Sequence, residues 1–233
     1  MSISRRAFLS NSGIVTGAAL AGLPLTSLAA AAKPAAAPHP STSSIIARLM
    51  AGNARYAAGK TIHGDLTARR DELTGSQRPF AMILSCADSR VPPELIFDEG
   101  LGDLFVVRIA GNYAETGGIG SFEYSFHYFN SPLLMVLGHS NCGAVHATVD
   151  AMKNSSGPAP GDINAVVNAI MPAAKAVNGK PGDIYANAIA QNARMNAAKL
   201  ASQKPLLSAG VAANKLQVVS AVYDLKTGRV NLL

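Results

Sequence analysis

The chain has 233 residues, of which 48% are hydrophobic and only 15% are charged. This composition indicates a folded chain with one substantial core and excludes an intrinsically disordered one. The net charge is +6, but the Lys and Arg residues form no basic block, so we expect no nucleic-acid-binding surface.

The N-terminus has the order of regions typical of an export signal. Arg5 and Arg6 precede a glycine-rich apolar stretch from Gly13 to Leu28, and a run of alanines follows. Paired arginines before such a stretch resemble a twin-arginine (Tat) signal peptide, which we place at residues 1–32. We therefore expect export through the Tat pathway to the periplasm or beyond.

The residues after this signal divide into a leader and a domain. Residues 33–44 are rich in Pro, Ala and Ser and are predicted to form a flexible leader, and residues 45–233 are predicted to form the folded domain. A membrane anchor is the alternative reading of the first 32 residues. Because their apolar stretch is short and glycine-rich for a membrane span, we expect no stable membrane insertion after cleavage.

Four short apolar runs predict strands that are buried on both faces. Between them lie longer stretches that predict helices, and this alternation indicates an α/β fold with a mostly parallel central sheet flanked by helices. A last short strand from Arg229 is predicted to be antiparallel or at an edge. The predicted strands are Phe80–Leu84, Leu104–Ile109, Leu133–Leu137, Gln217–Tyr223 and Arg229–Leu233.

The predicted helices have recognisable N-terminal signals. Ser44, Asp162 and Asp183 are the candidate N-caps. The apolar stretch from Ile119 is expected to be buried, which would place His127 in the core. The predicted helices are Ile45–Lys60, Ile119–Asn130, Ala144–Met152, Ile163–Val177 and Ile184–Ser202.

Two cysteines and a histidine fall near the ends of two predicted strands. Cys86 follows the first strand, His139 follows the third, and Cys142 is three residues after His139. Sites in open parallel sheets form outside the carboxyl ends of the strands, so we expect these side chains to meet. Two thiolates and one imidazole suit Zn²⁺, and three protein ligands leave the fourth position open, as in catalytic zinc sites.

Other readings of these cysteines stay open on the residues alone. In an exported protein, two cysteines also suggest a disulfide. A Cys–His pair is also the arrangement of a nucleophile and its base. Asp88 and Arg90 follow Cys86 closely enough to pair in a loop, where Asp88 would accept a hydrogen bond from a metal-bound water.

Two segments together are more specific than any one motif. Residues 85–94 read SCADSRVPPE and residues 138–144 read GHSNCGA, and both resemble the signature segments of the β-carbonic anhydrases. The similarity extends over nearly all of the predicted domain, from LMAGNARY at 49–56 through GDLFVVR at 102–108 to VSAVYDL at 219–225.

The resemblance implies roles for eight residues. Cys86, His139 and Cys142 match the ligands of one catalytic Zn²⁺ per chain. Asp88 and Arg90 match a pair in which the arginine holds the aspartate off the metal. Three further residues resemble family residues that contact substrate or line the narrow site, at or near a dimer interface. They are Gln77, Phe105 and Tyr124.

The resemblance also implies the activity. We expect reversible hydration of CO₂ to bicarbonate and a proton by hydroxide on zinc, in a homodimer or a homotetramer. One alternative is a hydrolase of a CO₂-like molecule, carbonyl sulfide or carbon disulfide, on the same fold. Another is a zinc-binding or redox module without catalysis.

Overall fold

The computed structural model describes residues 38–62, 69–154 and 159–233. The expected signal peptide at 1–32 lies outside these residues, as does the first part of the expected leader.

Five strands of the described chain form one sheet in the order β2-β1-β3-β4-β5. The first four are parallel, and β5 pairs with β4 in the antiparallel direction at the sheet edge, as the sequence predicted. The central strands β1 and β3 are buried along their whole length, which explains their continuous apolar runs. The strands are β1 (Ala81–Ser85), β2 (Leu104–Arg108), β3 (Leu133–His139), β4 (Gln217–Tyr223) and β5 (Val230–Leu232).

Helices cover both faces of the sheet, which confirms the predicted α/β class. Alternate residues of one strand contribute to two separate cores: Ile83 packs on one face, and Met82 and Leu84 pack on the other. The helices are α1 (Thr42–Ala57), α2 (Pro93–Ile96), α3 (Thr116–Phe129), α4 (Gly143–Asn154), α5 (Ile163–Val177), α6 (Ile184–Ser202) and α7 (Leu206–Ala212).

The N-cap predicted for α1 was wrong, whereas those predicted for α5 and α6 hold the N-cap positions. Helix α1 begins at Thr42 because Ser41, and not Ser44, accepts a hydrogen bond from the first turn through its side chain. Residues 42–44, which the sequence assigned to the leader, are therefore helical. Asp162 already has helical backbone angles and makes no capping hydrogen bond, whereas Asp183 accepts one from the N–H of Tyr185, as predicted.

Helix α3 differs from its prediction in burial. Phe122 and Ser125 face the core, but His127 is exposed, and so are Tyr124 and Tyr128. The stretch is therefore an amphipathic helix with an aromatic outer face. Among the described residues, no helix has the length and apolar character needed to cross a bilayer.

Candidate metal centre

Three side chains meet at the carboxyl end of the sheet. Cys86 directly follows β1, His139 is the last residue of the neighbouring β3, and Cys142 directly precedes α4. Their ligand atoms all lie within 4.8 Å of one another, and all three residues are buried. No disulfide joins the two cysteines. The structure thus brings together the three residues that the sequence predicted as ligands.

The ring of His139 is oriented for a ligand on one side. Its Nδ1 lies 3.0 Å from the carbonyl oxygen of Ser140, which can only accept, so Nδ1 carries the proton. The opposite Nε2 is then an acceptor, yet it is buried and has no hydrogen-bond partner in the part of the chain that the structure describes. A buried acceptor without a partner is costly unless something binds it, so this atom fits a metal ion.

The side chains of the two cysteines interact with each other. The Cys142 thiol donates a hydrogen bond to the Cys86 sulfur, and this lowers the pKa of Cys86 and raises the pKa of Cys142. Burial opposes the first shift and adds to the second. Cys86 therefore presents a thiolate, the form in which cysteine binds metal.

The start of α4 supports a negative charge on Cys142. The backbone N–H groups of Ala144 and Val145, in the first turn of the helix, donate to its sulfur and act to lower its pKa. Asn141, just before it, adopts the left-handed conformation with φ of 55°, and this tight turn separates His139 from Cys142.

Asp88 and Arg90 form the pair that the sequence predicted. Arg90 donates to one Asp88 oxygen from Nε at 2.9 Å and to the other from Nη2 at 2.7 Å, and its backbone N–H adds a third bond. These hydrogen bonds hold the pKa of Asp88 well below its usual range. The carboxylate is therefore ionised and turned toward Arg90, and it is not one of the three clustered ligands.

Sequence reasoning assigned no role to Arg108, which orders the same loop. The side chain at the end of β2 donates from Nε to the Cys86 carbonyl and from Nη2 to the Asp88 carbonyl. A single guanidinium thus fixes the backbone on both sides of Ala87. The sequence shows that a charged residue ends the segment GDLFVVR. The hydrogen-bond partners of this residue are backbone carbonyls in the loop after β1, and no residue pattern reveals them.

Gly111 was also missed. Its backbone N–H donates to the Cys86 sulfur at 3.2 Å, and its φ is +78°, in the left-handed region. An added Cβ would lie only 2.4 Å from Cδ1 of Ile170 on α5. The positive φ and the close approach of Ile170 both favour glycine at this position.

The three residues predicted to contact substrate lie away from the ligands of their own chain. Gln77 precedes β1, whereas Cys86 directly follows it, so the two residues flank opposite ends of this strand. Phe105 packs against the core on the face opposite to the cysteines. Tyr124 is 50% exposed on α3. Their role stays a prediction that needs a second chain.

Comparisons with known proteins identify the family. The family model for carbonic anhydrase matches residues 81–230, which include all three clustered ligands. A carbonic anhydrase from Mycolicibacterium smegmatis is 38% identical over 183 residues, covering 78% of this chain and 88% of the relative. The chain belongs to the β-carbonic anhydrase family. Carbonic anhydrase 2 from Mycobacterium tuberculosis is 37% identical over 186 residues, covering 79% and 89%.

Solved β-carbonic anhydrases share the fold at lower identity. The enzyme from Coccomyxa, solved with acetazolamide, has a TM-score of 0.61 at 23% identity over 82% of each chain. One of the tetrameric enzymes from Sordaria macrospora has a TM-score of 0.62 at 21% identity, covering 82% of this chain and 97% of the other. The chain is therefore a carbonic anhydrase with a family-typical fold and a Cys-His-Cys metal-binding group.

Proposed function

We propose that this carbonic anhydrase reversibly hydrates CO₂ to bicarbonate and a proton with one Zn²⁺ held by Cys86, His139 and Cys142. One observation carries the proposal: the ligand atoms of His139, Cys86 and Cys142 lie within 4.8 Å of one another, and the buried Nε2 of His139 has no hydrogen-bond partner among the described residues. Two sulfurs and one imidazole nitrogen are a donor set that suits zinc and is poor for magnesium or calcium.

The bound ion would supply hydroxide near neutral pH, because zinc lowers the pKa of its water to about 7. The residues of the chain supply orientation. The Ser140 carbonyl fixes the His139 tautomer, and the N–H groups of Ala144 and Val145 favour the charged form of Cys142. Arg90 keeps the Asp88 carboxylate ionised and directed away from the ligand atoms. Asp88 is then free to accept a hydrogen bond from the attacking oxygen rather than to bind the metal.

The same proposal includes an assembly of two or four copies. Tyr124 and Tyr128 expose 50% and 63% of their surface on α3, and their rings lie 4.6 Å apart. An exposed aromatic face of this kind suits an interface with a second copy. The tetrameric Sordaria enzymes support this reading. A partner would then bring its Gln77, Phe105 and Tyr124 to the site.

Export completes the proposal. The Arg5–Arg6 pair supports transport through the Tat pathway, which carries folded proteins, so zinc would be inserted where thiols stay reduced. Replacing both arginines with lysine should leave the protein in the cytoplasm on cell fractionation. Recovery of exported protein that is zinc-free, with Cys86 and Cys142 joined by a disulfide, would contradict this account.

The test of the activity is CO₂ hydration by stopped flow with a pH indicator, with zinc content measured on the same sample. Asp88→Asn should keep its zinc and lose about 10–100-fold in turnover, because the ionised acceptor is gone. Cys142→Ser should lose both zinc and activity. Asp71→Asn, at an exposed acid away from the centre, is the matched control and should change neither.

The alternatives make different predictions in this experiment. Full zinc occupancy without CO₂ hydration, together with sulfide release from carbonyl sulfide, would favour the hydrolase. Full occupancy without either reaction would favour a zinc-binding module.

A further inference from the structure

Helix α6 turns a row of polar side chains toward the metal centre. Asn192 and Asn196 are 1% and 8% exposed, and Lys199 follows one turn later on the same side of the helix. Burying two amides in a helix interior is unfavourable unless their hydrogen bonds are satisfied. All three side chains bond to the loop between β2 and α3, which carries Gly111.

These hydrogen bonds form one directional chain. The N–H of Ala114 donates to Oδ1 of Asn196 at 2.7 Å, and Nδ2 of Asn196 donates to Oδ1 of Asn192 at 3.0 Å. Nδ2 of Asn192 donates to the Gly111 carbonyl at 2.8 Å, and the Gly111 N–H donates to the Cys86 sulfur at 3.2 Å. Each donor in the chain therefore points along the path toward Cys86.

The backbone groups at the two ends of this chain of hydrogen bonds fix the orientation of both asparagine side-chain amides. An N–H such as that of Ala114 can only donate, and a carbonyl such as that of Gly111 can only accept. Asn196 must therefore present its oxygen to Ala114, and Asn192 must present its nitrogen to Gly111. Lys199 holds the same loop from Nζ at 2.7 Å to the Ala114 carbonyl. Hydrogen bonds in such a chain polarise one another. The loss of one hydrogen bond in α6 therefore weakens the bond that the Gly111 N–H donates to the Cys86 sulfur.

We propose that Asn192, oriented by Asn196, is a positioning residue of the metal centre that keeps the Gly111 N–H on the Cys86 thiolate. This inference rests on the proposed function, since it assumes that Cys86 holds zinc. Groups that orient metal ligands typically change metal affinity by 10–100-fold when they are removed. The packing of α5 on Gly111 limits where the loop can move, but among the described residues the bond to the Gly111 carbonyl comes from Asn192.

The experiment measures how fast the zinc-loaded protein releases its metal to an excess of the chelator 4-(2-pyridylazo)resorcinol. Asn192→Leu keeps a similar volume but removes both hydrogen bonds, and zinc release should become about tenfold faster or more. Asn196→Asp keeps the acceptor for Ala114 and removes the donor to Asn192, so it should accelerate release by a smaller factor. In cobalt-substituted protein, both variants should shift the thiolate-to-cobalt absorption band.

The control separates positioning from general stability. Leu207→Ala on α7 removes a fully buried apolar side chain that makes no hydrogen bond. It should lower the melting temperature while zinc release and the cobalt band stay as in the wild type. The proposal is overturned if both asparagine variants release zinc at the wild-type rate, or if Leu207→Ala accelerates release equally at the same loss of melting temperature.

Three further outcomes are decisive. If Asn192→Leu does not fold, Asn196→Asp alone decides by the same criteria. If the wild-type chain holds no zinc at Cys86, His139 and Cys142, the proposed function and this inference both fail. If it holds zinc and hydrates CO₂ while the variants keep the wild-type release rate, only this inference fails.

Discussion

The contact between Asp88 and Arg90 decides what the carboxylate can do at the metal centre. A carboxylate beside a zinc site is either a ligand or a hydrogen-bond acceptor, and a bidentate guanidinium favours the second role. Arg108 adds to this choice by fixing the Asp88 carbonyl, so the loop cannot easily swing toward the ligands.

Arg90→Gln tests this choice directly. The variant loses both bonds from the guanidinium, so the carboxylate becomes free to compete for the metal. We expect hydration to fall by about 10–100-fold with zinc content unchanged, measured by stopped flow and metal analysis. Arg229→Gln, at a side chain remote in sequence from the loop, serves as the control. Full activity in Arg90→Gln would show that Asp88 needs no restraint.

For the same variant, Arg90→Gln, we also predict how the melting temperature depends on pH. Arg90 lowers the pKa of Asp88 in the folded protein, so the pair stabilises the fold above the ordinary Asp pKa of about 3.9. That stabilisation is lost as the pH falls through the lowered pKa. The melting temperatures of metal-free wild type and Arg90→Gln should therefore differ near neutral pH and converge in strong acid. A gap that widens toward acid would contradict the assigned direction.

At the scale of elements, close packing restricts α1 more tightly than its sequence suggests. A Cβ on Gly52 would lie 1.8 Å from the carbonyl oxygen of Phe97, which is backbone and cannot rotate away. Arg48 and Arg55 of the same helix bind Glu99 and Asp98 on the chain just beyond. The helix α1 thus packs closely against the segment that follows α2. Only glycine at position 52 allows so short a distance between them.

Gly52→Ala should therefore destabilise the protein, although alanine in a helix ordinarily stabilises by about 0.5–1 kcal/mol relative to glycine. We expect a loss of about 3 kcal/mol in the free energy of unfolding, measured by urea denaturation. Ala51→Gly, at the exposed neighbouring position, measures the helix-propensity contribution alone and should cost about 1 kcal/mol. A stabilised Gly52→Ala would mean that α1 is free to shift.

The elements that were predicted correctly from the sequence are those whose burial produces a clear pattern of apolar residues. The bounds of β4, α5 and α6 agree with the structure, because an unbroken apolar run and a 3.6-residue period leave little ambiguity. The short helices α2 and α7 were not predicted, because one or two turns leave too few residues for a period to show. The N-cap of α1 was misplaced because Ser41 and Ser44 are chemically equal and only packing decides between them.

The metal ligands were predictable for a different reason. Cys86 and His139 end parallel neighbouring strands, and topology alone brings such ends together. The bonds of Arg108, Gly111 and Asn192 were not predictable, because each involves a backbone group whose position depends on how the loops and α6 pack. His127 on α3 was mistaken for a core residue, because the apolar character of a helix does not by itself show which of its faces is buried.

At the scale of the whole molecule, the predicted site residues of one chain lie in separate regions. Its metal ligands lie at the carboxyl end of the sheet, whereas Gln77 lies at the amino end and Tyr124 points outward from α3. Within one chain, the strand β1 lies between Gln77 and Cys86. A second copy that packs on the aromatic face of α3 would supply all three from outside and would also cover exposed tyrosine rings.

Tyr128→Asp tests this assembly, because a charge buried without a partner at an interface opposes association. Light scattering should show a lower mass than for the wild type, and CO₂ hydration should fall while each chain keeps its zinc, since only the partner's contribution is lost. Ile163→Asp places the same charge at an equally apolar position, 56% exposed, at the start of α5 and should leave both mass and activity unchanged. A fully active monomer would show that the aromatic face of α3 has another use and that one chain completes its own site.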